Sequence, residues 1–425
     1  MHDPNELLAD GPAAVERLAR RRYVLDPALL EKAARARAET QAEVTRLRTE
    51  LNAASRARGR KGPPSEAEKE TARALRTDVR QAEAAARTAA AELHEILLGI
   101  PNIPLDSVPS GHSEEEAVEV RRGGPPPREA GARHHADIGE SLGVLDPQAA
   151  AGLSGARFSV GRGAGARLER ALADFFLDLH TSEHGYTEYS VPYLVSRDTM
   201  TGTGQLPKFE QDLFRTQVGD REMFLIPTAE VPLTNLLAGQ LLDTRDLPYA
   251  FTARTPCFRA EAGAYGRDTR GILRLHQFEK VELVRVCAPE DAQEQLHLMV
   301  GHAEECLRRL ELSYRVVLLP AGDLGFSARM TYDIEVWLPG SGAFREISSV
   351  SDCGTFQGRR ADIRRKGEGG RKTPVATLNG SALPIGRTVA ALLEQGVRED
   401  GSVRIPEALV PYTGFRSILP GGATG

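Results

Sequence analysis

Apolar positions recur with more than one period along this chain, and each period predicts a different element. From Ala72 onward, Ala72, Leu75, Val79, Ala82, Ala86, Ala89, Leu93 and Ile96 alternate three- and four-residue steps, the spacing of a heptad seam. Val44, Leu47, Leu51 and Ala54 show the same spacing upstream. Between the two runs, Gly59, Gly62, Pro63 and Pro64 end one helix, and Ser65 can cap the next. The pattern predicts an antiparallel helical hairpin whose arms of about 30 residues are roughly 45 Å long. Ile100-Pro101-Asn102-Ile103-Pro104 stops the second arm, because proline removes donors and restricts the residue before it. Residues 105–130 are rich in Pro, Gly and Glu and read as linker.

Further on, helix and strand patterns mix to the end of the chain. Residues 168–184 predict an amphipathic helix, followed by a strand-like stretch over 188–195. Apolar-rich segments at 250–258 and 275–286 flank a loop dense in Gly, Arg and Asp, the pattern of an antiparallel strand pair with a long polar connection. Period two puts Arg259 and Glu261 on one face of the first strand, and Phe278, Lys280 and Glu282 on one face of the second. Charged groups on a buried face are penalised unless paired. The face suits a ligand with a phosphate, a flat base and an ammonium group, although spacing alone also permits an ordinary hairpin with solvated ion pairs.

Three other segments add candidate chemistry. Thr228 and Glu230 would share one face of an extended segment; alternatively, Thr228 caps a helix over 231–237. Residues 344–353 alternate as a strand that carries Glu346 and several hydroxyls, oxygens of the kind Mg²⁺ accepts. Residues 376–394 read as strand, Gly-bearing turn and helix, with Arg387 near the helix start, where dipole and guanidinium both favour phosphate.

At 425 residues the chain is expected to hold more than one domain, and 41% hydrophobic residues suffice for a sizeable core. No apolar run approaches a membrane span, and the start lacks the basic and apolar segments of a signal peptide. Cys257, Cys287, Cys306 and Cys353 are scattered, which suggests reduced cytosolic thiols and not a disulfide framework or zinc site. Net charge is −5, so the molecule as a whole does not advertise nucleic-acid binding. Its distribution does: Lys32, Arg35, Arg37, Arg46, Arg48, Arg56, Arg58, Arg60 and Lys61 face only four glutamates between residues 28 and 62. Neither a Gly-x-Gly-x-x-Gly turn after a parallel strand nor a Walker loop is present.

The string over 257–284, Cys-Phe-Arg-Ala-Glu-Ala-Gly-Ala-Tyr-Gly-Arg-Asp-Thr-Arg-Gly-Ile-Leu-Arg-Leu-His-Gln-Phe-Glu-Lys-Val-Glu-Leu-Val, resembles motif 2 of class II aminoacyl-tRNA synthetases in the form found in seryl-tRNA synthetases. The helix–strand–Pro unit ending at 195 resembles motif 1 of that family, and 376–394 resembles motif 3. Two departures stand out: Ala9 occupies a position where the family has Arg, and Pro384-Ile385 replaces small residues.

The resemblance implies an α+β fold, in which an N-terminal coiled-coil hairpin precedes a class II antiparallel sheet flanked by helices. It divides the chain into a tRNA-binding domain at 1–104, a linker at 105–155 and a catalytic domain at 156–425. It implies a cytoplasmic, homodimeric serine–tRNA ligase that uses ATP, Mg²⁺, L-serine and tRNA(Ser), with tRNA(Sec) a further candidate. Arg259 and Arg387 would be catalytic. The serine pocket would comprise Thr228, Ala229, Glu230, Glu282 and Ser381. ATP would meet Arg259, Ala260, Glu261, Arg274, Leu275, Phe278, Glu346, Ile347, Ser348, Ser349 and Arg387, with Glu346 and Ser349 holding Mg²⁺. Arg46, Arg56, Arg58, Arg60 and Lys61 would touch tRNA. The alternatives are a serine:carrier-protein ligase, which the hairpin and the scattered cysteines argue against, and a catalytically silent paralogue, which the intact Arg259, Glu282 and Arg387 argue against. A second synthetase dedicated to natural-product assembly or antibiotic self-resistance remains a third.

Overall fold

The computed structural model describes residues 1–58, 65–262 and 270–425, with residues 57, 58 and 368 described in backbone alone. The chain forms two compact units, Met1–Pro101 and Asn102–Gly425.

In the first unit, short helices at Pro4–Asp10 and Pro12–Ala19 precede the hairpin arms α1 (Pro27–Arg58) and α2 (Glu66–Leu98). The heptad positions face inward: Val44, Leu47, Val79, Ala89 and Leu93 are buried, and Ala72, Leu75, Ala82, Ala86 and Ile96 are half-buried. Ala54, expected in the seam, is exposed, so burial thins along α1 beyond Leu51. Ser65 starts α2 through a reciprocal cap, its hydroxyl accepting from the Glu68 amide while the Glu68 carboxylate accepts from the Ser65 amide.

The second unit is built on an eight-stranded sheet. In chain order its elements are β1 (Val118–Gly123), α3 (His135–Ser141), α4 (Ala164–Ser182), β2 (Thr187–Glu188), α5 (Glu230–Asn235), β3 (Tyr249–Phe258), β4 (Gln277–Cys287), α6 (Ala292–Arg309), β5 (Tyr314–Leu318), β6 (Met330–Leu338), β7 (Ala343–Asp352), α7 (Phe356–Arg360), β8 (Ala376–Pro384) and α8 (Ile385–Gly396). The strand order is β1-β5-β6-β7-β8-β4-β3-β2. Every pairing is antiparallel except that of β2 with β3. Leu172 and Phe176 of α4, Leu296 and Met299 of α6, and Val389 and Leu393 of α8 join Leu283, Val316, Ile334 and Leu378 from the strands in one large core.

Composition suggests linker over 105–130, yet β1 lies within it as an edge strand. Its Gly-Gly-Pro end reflects crowding: a Cβ on Gly124 (φ +75°) would fall 1.9 Å from the Leu312 carbonyl oxygen, and one on Gly123 would strike the Tyr314 ring. These glycines allow close backbone approach.

β7 departs from simple alternation. Ile334 pairs with Ser348 and Glu335 with Glu346, which leaves Ile347 as an extra residue, a bulge. Residues three apart, Glu346 and Ser349, therefore share one face of the sheet.

Candidate functional site

The β3–β4 register sets the site. Ala253 lies opposite Glu282, Thr255 opposite Lys280 and Cys257 opposite Phe278. The ladder continues one pair further, with the Arg259 amide donating to the His276 carbonyl at 2.9 Å, so Arg259 falls on the same face as Phe278, Lys280 and Glu282. Its guanidinium sits 5.2 Å from the Phe278 ring centroid, an attractive cation–π placement. Glu261 does not continue the alternation. Its φ of +52° turns the chain out of the strand, and its carboxylate instead accepts from Arg274 Nε at 2.6 Å.

Thr228 and Glu230 do not share an extended segment. Ala229, fully buried, is the N-cap of α5, and Glu230 is the first helical residue. The Thr228 hydroxyl accepts from the Glu230 amide at 3.2 Å and donates to Glu282 Oε2 at 2.5 Å. Neither reading of Thr228 holds as drawn: it lies one residue before the N-cap, where its hydroxyl braces the helix start and faces the sheet carboxylate. Lys280, nearly as buried as Glu282, forms an ion pair with it and donates to the Thr228 hydroxyl at 3.2 Å. Glu230 Oε1 accepts from Gln357 Nε2 on α7 at 2.6 Å and from Asn379 Nδ2 on β8 at 3.0 Å. Burial first, and then the neighbouring Glu282 charge, push the Glu230 carboxyl up to about 7 against the Gln357 hydrogen bond. Ser381 lies opposite Glu282 in the β8–β4 ladder, and its carbonyl accepts from the Ser348 hydroxyl at 2.7 Å.

Thr228, Glu230, Arg259 and Asn379 line a cleft of about 830 Å³, with Thr203 and Gln205 on its other walls. Arg259, Glu261 and Arg274 also line a narrower recess of about 50 Å³, closed by Leu275, Phe278, Glu346 and Arg387. On α8, Arg387 donates from Nη1 to the Glu346 carbonyl at 2.7 Å and from Nε to the Leu273 carbonyl at 3.1 Å, and pairs with Glu346 Oε1 at 3.2 Å. Ala260 is anchored through its amide to the Asp212 carbonyl.

The bulge turns the side chains of two expected nucleotide residues away from the open face. Ile347 is fully buried and packed in the core, and Ser348 is buried with its hydroxyl on the Ser381 carbonyl. Their side chains are committed to the fold. Glu346 and Ser349 remain together on the open face, and Asp333 lies opposite Ser349 on the neighbouring strand. Asp333 Oδ1 is buried without a partner, and burial followed by the Glu346 charge raises its carboxyl well above the ordinary carboxylate range. This set of hard oxygens fits a small divalent cation such as Mg²⁺.

Of the basic residues expected at a nucleic acid, Arg46 bridges Glu43 and Glu50 on its own helix at 2.5 and 2.6 Å, and Arg56 is exposed. The Arg58 side chain, Arg60 and Lys61 lie outside the described residues, as does 263–269 of the strand-pair loop. Sequence reasoning assigns no role to Lys280, Asn379, Gln357 or Asp333. Period two carries the signal for the first two; Gln357 and Asp333 reach the site only through the tertiary fold.

Comparison with known proteins gives two family matches: "Seryl-tRNA synthetase N-terminal domain" over residues 1–104, and "tRNA synthetase class II core domain (G, H, P, S and T)" over residues 209–396. The chain is 84% identical over 426 residues to Serine–tRNA ligase 2 of Streptomyces avermitilis, covering 100% of both chains. It is 49% identical to a Serine–tRNA ligase of Acidithiobacillus ferrooxidans, covering 99% of this chain and 100% of that one. Among solved structures, seryl-tRNA synthetase from Pyrococcus horikoshii complexed with ATP superposes with a TM-score of 0.87 at 34% identity, covering 99% of this chain and 100% of that one. The cytoplasmic enzyme from Naegleria fowleri in complex with AMP gives 0.82 at 27% identity, covering 98% and 96%.

Proposed function

The chain belongs to the seryl-tRNA synthetases and is a class II serine–tRNA ligase, and on that premise we propose how its residues divide the work. The observation that carries the assignment is one continuous sheet face, on which the Thr228–Lys280–Glu282 network lies beside Arg259 stacked over Phe278.

Serine occupies the wide end of the cleft. Its ammonium meets Glu282, Thr228 and Glu230, and its hydroxyl is held near Ser381. Buried partners left unpaired by alanine reject that amino acid by roughly 10⁴-fold or more, and closure around the hydroxyl excludes threonine. ATP lies across the sheet, with adenine against Phe278, the α-phosphate on Arg259, and the outer phosphates toward Arg274 and Arg387. Glu261 places the nucleotide, while Ala260, Leu275, Ile347 and Ser348 contribute main chain and shape. Glu346 and Ser349 would hold Mg²⁺, which would supply positive charge for the phosphates.

A serine carboxylate oxygen attacks the α-phosphorus. The new O–P bond forms as the bond to pyrophosphate breaks, and Arg259 neutralises the charge that develops. No side chain acts as nucleophile, so catalysis is positioning plus charge neutralisation. The terminal hydroxyl of tRNA(Ser), or of tRNA(Sec), then attacks the seryl carbonyl, and AMP leaves. In this reading the N-terminal unit, with Arg46, Arg56, Arg58, Arg60 and Lys61, grips the tRNA, and 156–425 holds the chemistry. Exposed Tyr193 and Leu194, within the motif 1 unit, suit a homodimer contact. No described helix is long and apolar enough to cross a membrane, and ATP, serine and tRNA as substrates support a cytoplasmic reading.

The test is pyrophosphate exchange into ATP by purified protein, without tRNA. Exchange should require L-serine and Mg²⁺ and be poor with threonine, alanine or cysteine. Folded protein that shows no serine-dependent exchange would overturn the reading.

A further inference from the structure

A second cluster, made of residues not proposed for either substrate, joins α3 and α8. His135 on α3 and Glu394 on α8 have no exposed side-chain surface, and His135 Nδ1 lies 2.7 Å from Glu394 Oε1. Together with His134 they form a group of potential metal ligands. Every polar atom on the two buried side chains is already engaged, however. Glu394 Oε1 also accepts from the His135 amide at 3.0 Å, and Oε2 accepts from the Gly340 amide at 2.8 Å. The Ile272 amide reaches His135 Nε2 at 3.3 Å. An amide can only donate, so Nε2 presents its lone pair and the imidazole proton sits on Nδ1, facing Glu394. The histidine is thus a directional bridge from a carboxylate to a main-chain N–H.

That N–H belongs to the limb by which the motif 2 loop returns to the sheet. Gly271, at φ +81°, lies directly on the imidazole: a Cβ there would sit 2.0 Å from Nε2. One residue on from Ile272, the Leu273 carbonyl accepts from Arg387 Nε, and the residue after it, Arg274, pairs with Glu261. Arg270, one residue before Gly271, pairs with Asp137 on the same helix as His135. Arg387 and Glu394 both lie on α8, so the bonds close a ring: α8 to α3, α3 to the loop limb, and the limb back to α8. Burial alone would raise the Glu394 carboxyl, but hydrogen bonds from the His135 side chain, the His135 amide and the Gly340 amide outweigh it and hold the group ionised.

We propose that His135, oriented by Glu394, is a positioning residue that latches the Ile272–Arg274 limb and so sets Arg274 and Arg387 for the outer phosphates of ATP. The inference rests on the nucleotide placement proposed above. The latch touches neither substrate and acts on only one of the two. Losing it should therefore weaken ATP and spare serine, whereas a general packing defect would affect both.

Serine-dependent pyrophosphate exchange by the full-length chain, with KM measured separately for ATP and serine, tests it. H135N keeps a donor for Glu394 but withdraws the acceptor from Ile272. It should raise the ATP KM about tenfold, the scale of one lost hydrogen bond, while the serine KM stays within about twofold. H135Q, which reaches the Nε2 position with an acceptor, should recover the ATP KM to within about threefold of the parent. If H135N does not fold, G271A, whose methyl displaces the imidazole from Ile272, should reproduce the same split. An unchanged ATP KM in whichever of these variants folds, or equal rises for ATP and serine, overturns the proposal. Absence of exchange in the parent chain would instead overturn the functional reading itself.

Discussion

Glu282 carries two obligations in this pocket: it pairs with buried Lys280 and accepts from Thr228. Glu282→Gln preserves shape but removes the charge proposed to meet the serine ammonium. A charged hydrogen bond of about 1.5–3 kcal/mol predicts a serine KM raised roughly tenfold to a hundredfold. The same change strands the Lys280 ammonium, and breaking one side of a buried pair costs about 3 kcal/mol or more. Lys280→Met in the Glu282→Gln background should therefore restore the thermal midpoint without restoring serine binding; steady-state kinetics and thermal unfolding of the three chains separate the effects.

Glu230 titrates in the opposite sense to a usual paired carboxylate. Its pKa rises from 4.5 to about 7, so between those values the native state binds more protons than the unfolded chain, and stability falls as pH rises through that window. At about 1.4 kcal/mol per unit, the whole effect is on the order of 3–4 kcal/mol. Glu230→Gln keeps an acceptor for Gln357 and Asn379 but cannot ionise. Its stability advantage over the parent should grow from pH 5 to about 7 and then level off, as read by denaturant unfolding at each pH. Arg259, Phe278, Lys280 and Glu282 were legible in the sequence because a two-residue period fixes one face of a strand. Gln357 was not: it reaches Glu230 across 127 residues of chain from a five-residue helix, and no local pattern records such a meeting.

Among elements, the strand pair and the hairpin were readable because each is set by a regular repeat and ended by Gly, Pro or a capping residue. Two features escaped. The edge strand β1 has an exposed face and ends in Gly-Gly-Pro, so composition spoke for linker where Tyr314 and Leu312 in fact required glycine. The bulge at Ile347 is invisible to alternation, since only the partner strand reveals which residue is extra. That residue decides which side chains reach the nucleotide face. On the hairpin, the Ser65 cap lies beside a seam in which much of the apolar surface is alanine, so local terms matter there. Ser65→Ala removes about 1 kcal/mol and should speed amide exchange in the first turn of α2 roughly fivefold, with the remainder of that helix unchanged.

For the whole molecule, the division into Met1–Pro101 and Asn102–Gly425 separates a basic helical arm from a complete sheet with its own core. Replacing residues 28–96 with a short bridge should leave serine-dependent pyrophosphate exchange within about threefold, because no residue proposed for serine or ATP lies in the arm. Aminoacylation of tRNA should fall by orders of magnitude, because the arm's cations would no longer meet the phosphate backbone. Parallel exchange and charging assays read the two outcomes, and equal loss of both would make the arm a folding element of the second unit.

The pairing of Arg387 with Glu346 has a consequence for how the ligands of the proposed site influence one another. Each member of that pair is wanted elsewhere, the guanidinium by a phosphate and the carboxylate by a cation. A nucleotide that draws Arg387 away releases Glu346, and a cation that captures Glu346 releases Arg387. Neither ligand gains the full benefit of its partner until the other has broken the pair. Nucleotide and metal are then linked through a shared internal bond, and linkage requires each to tighten the other by the same factor. The recess would in this way favour the metal–nucleotide complex over either component alone.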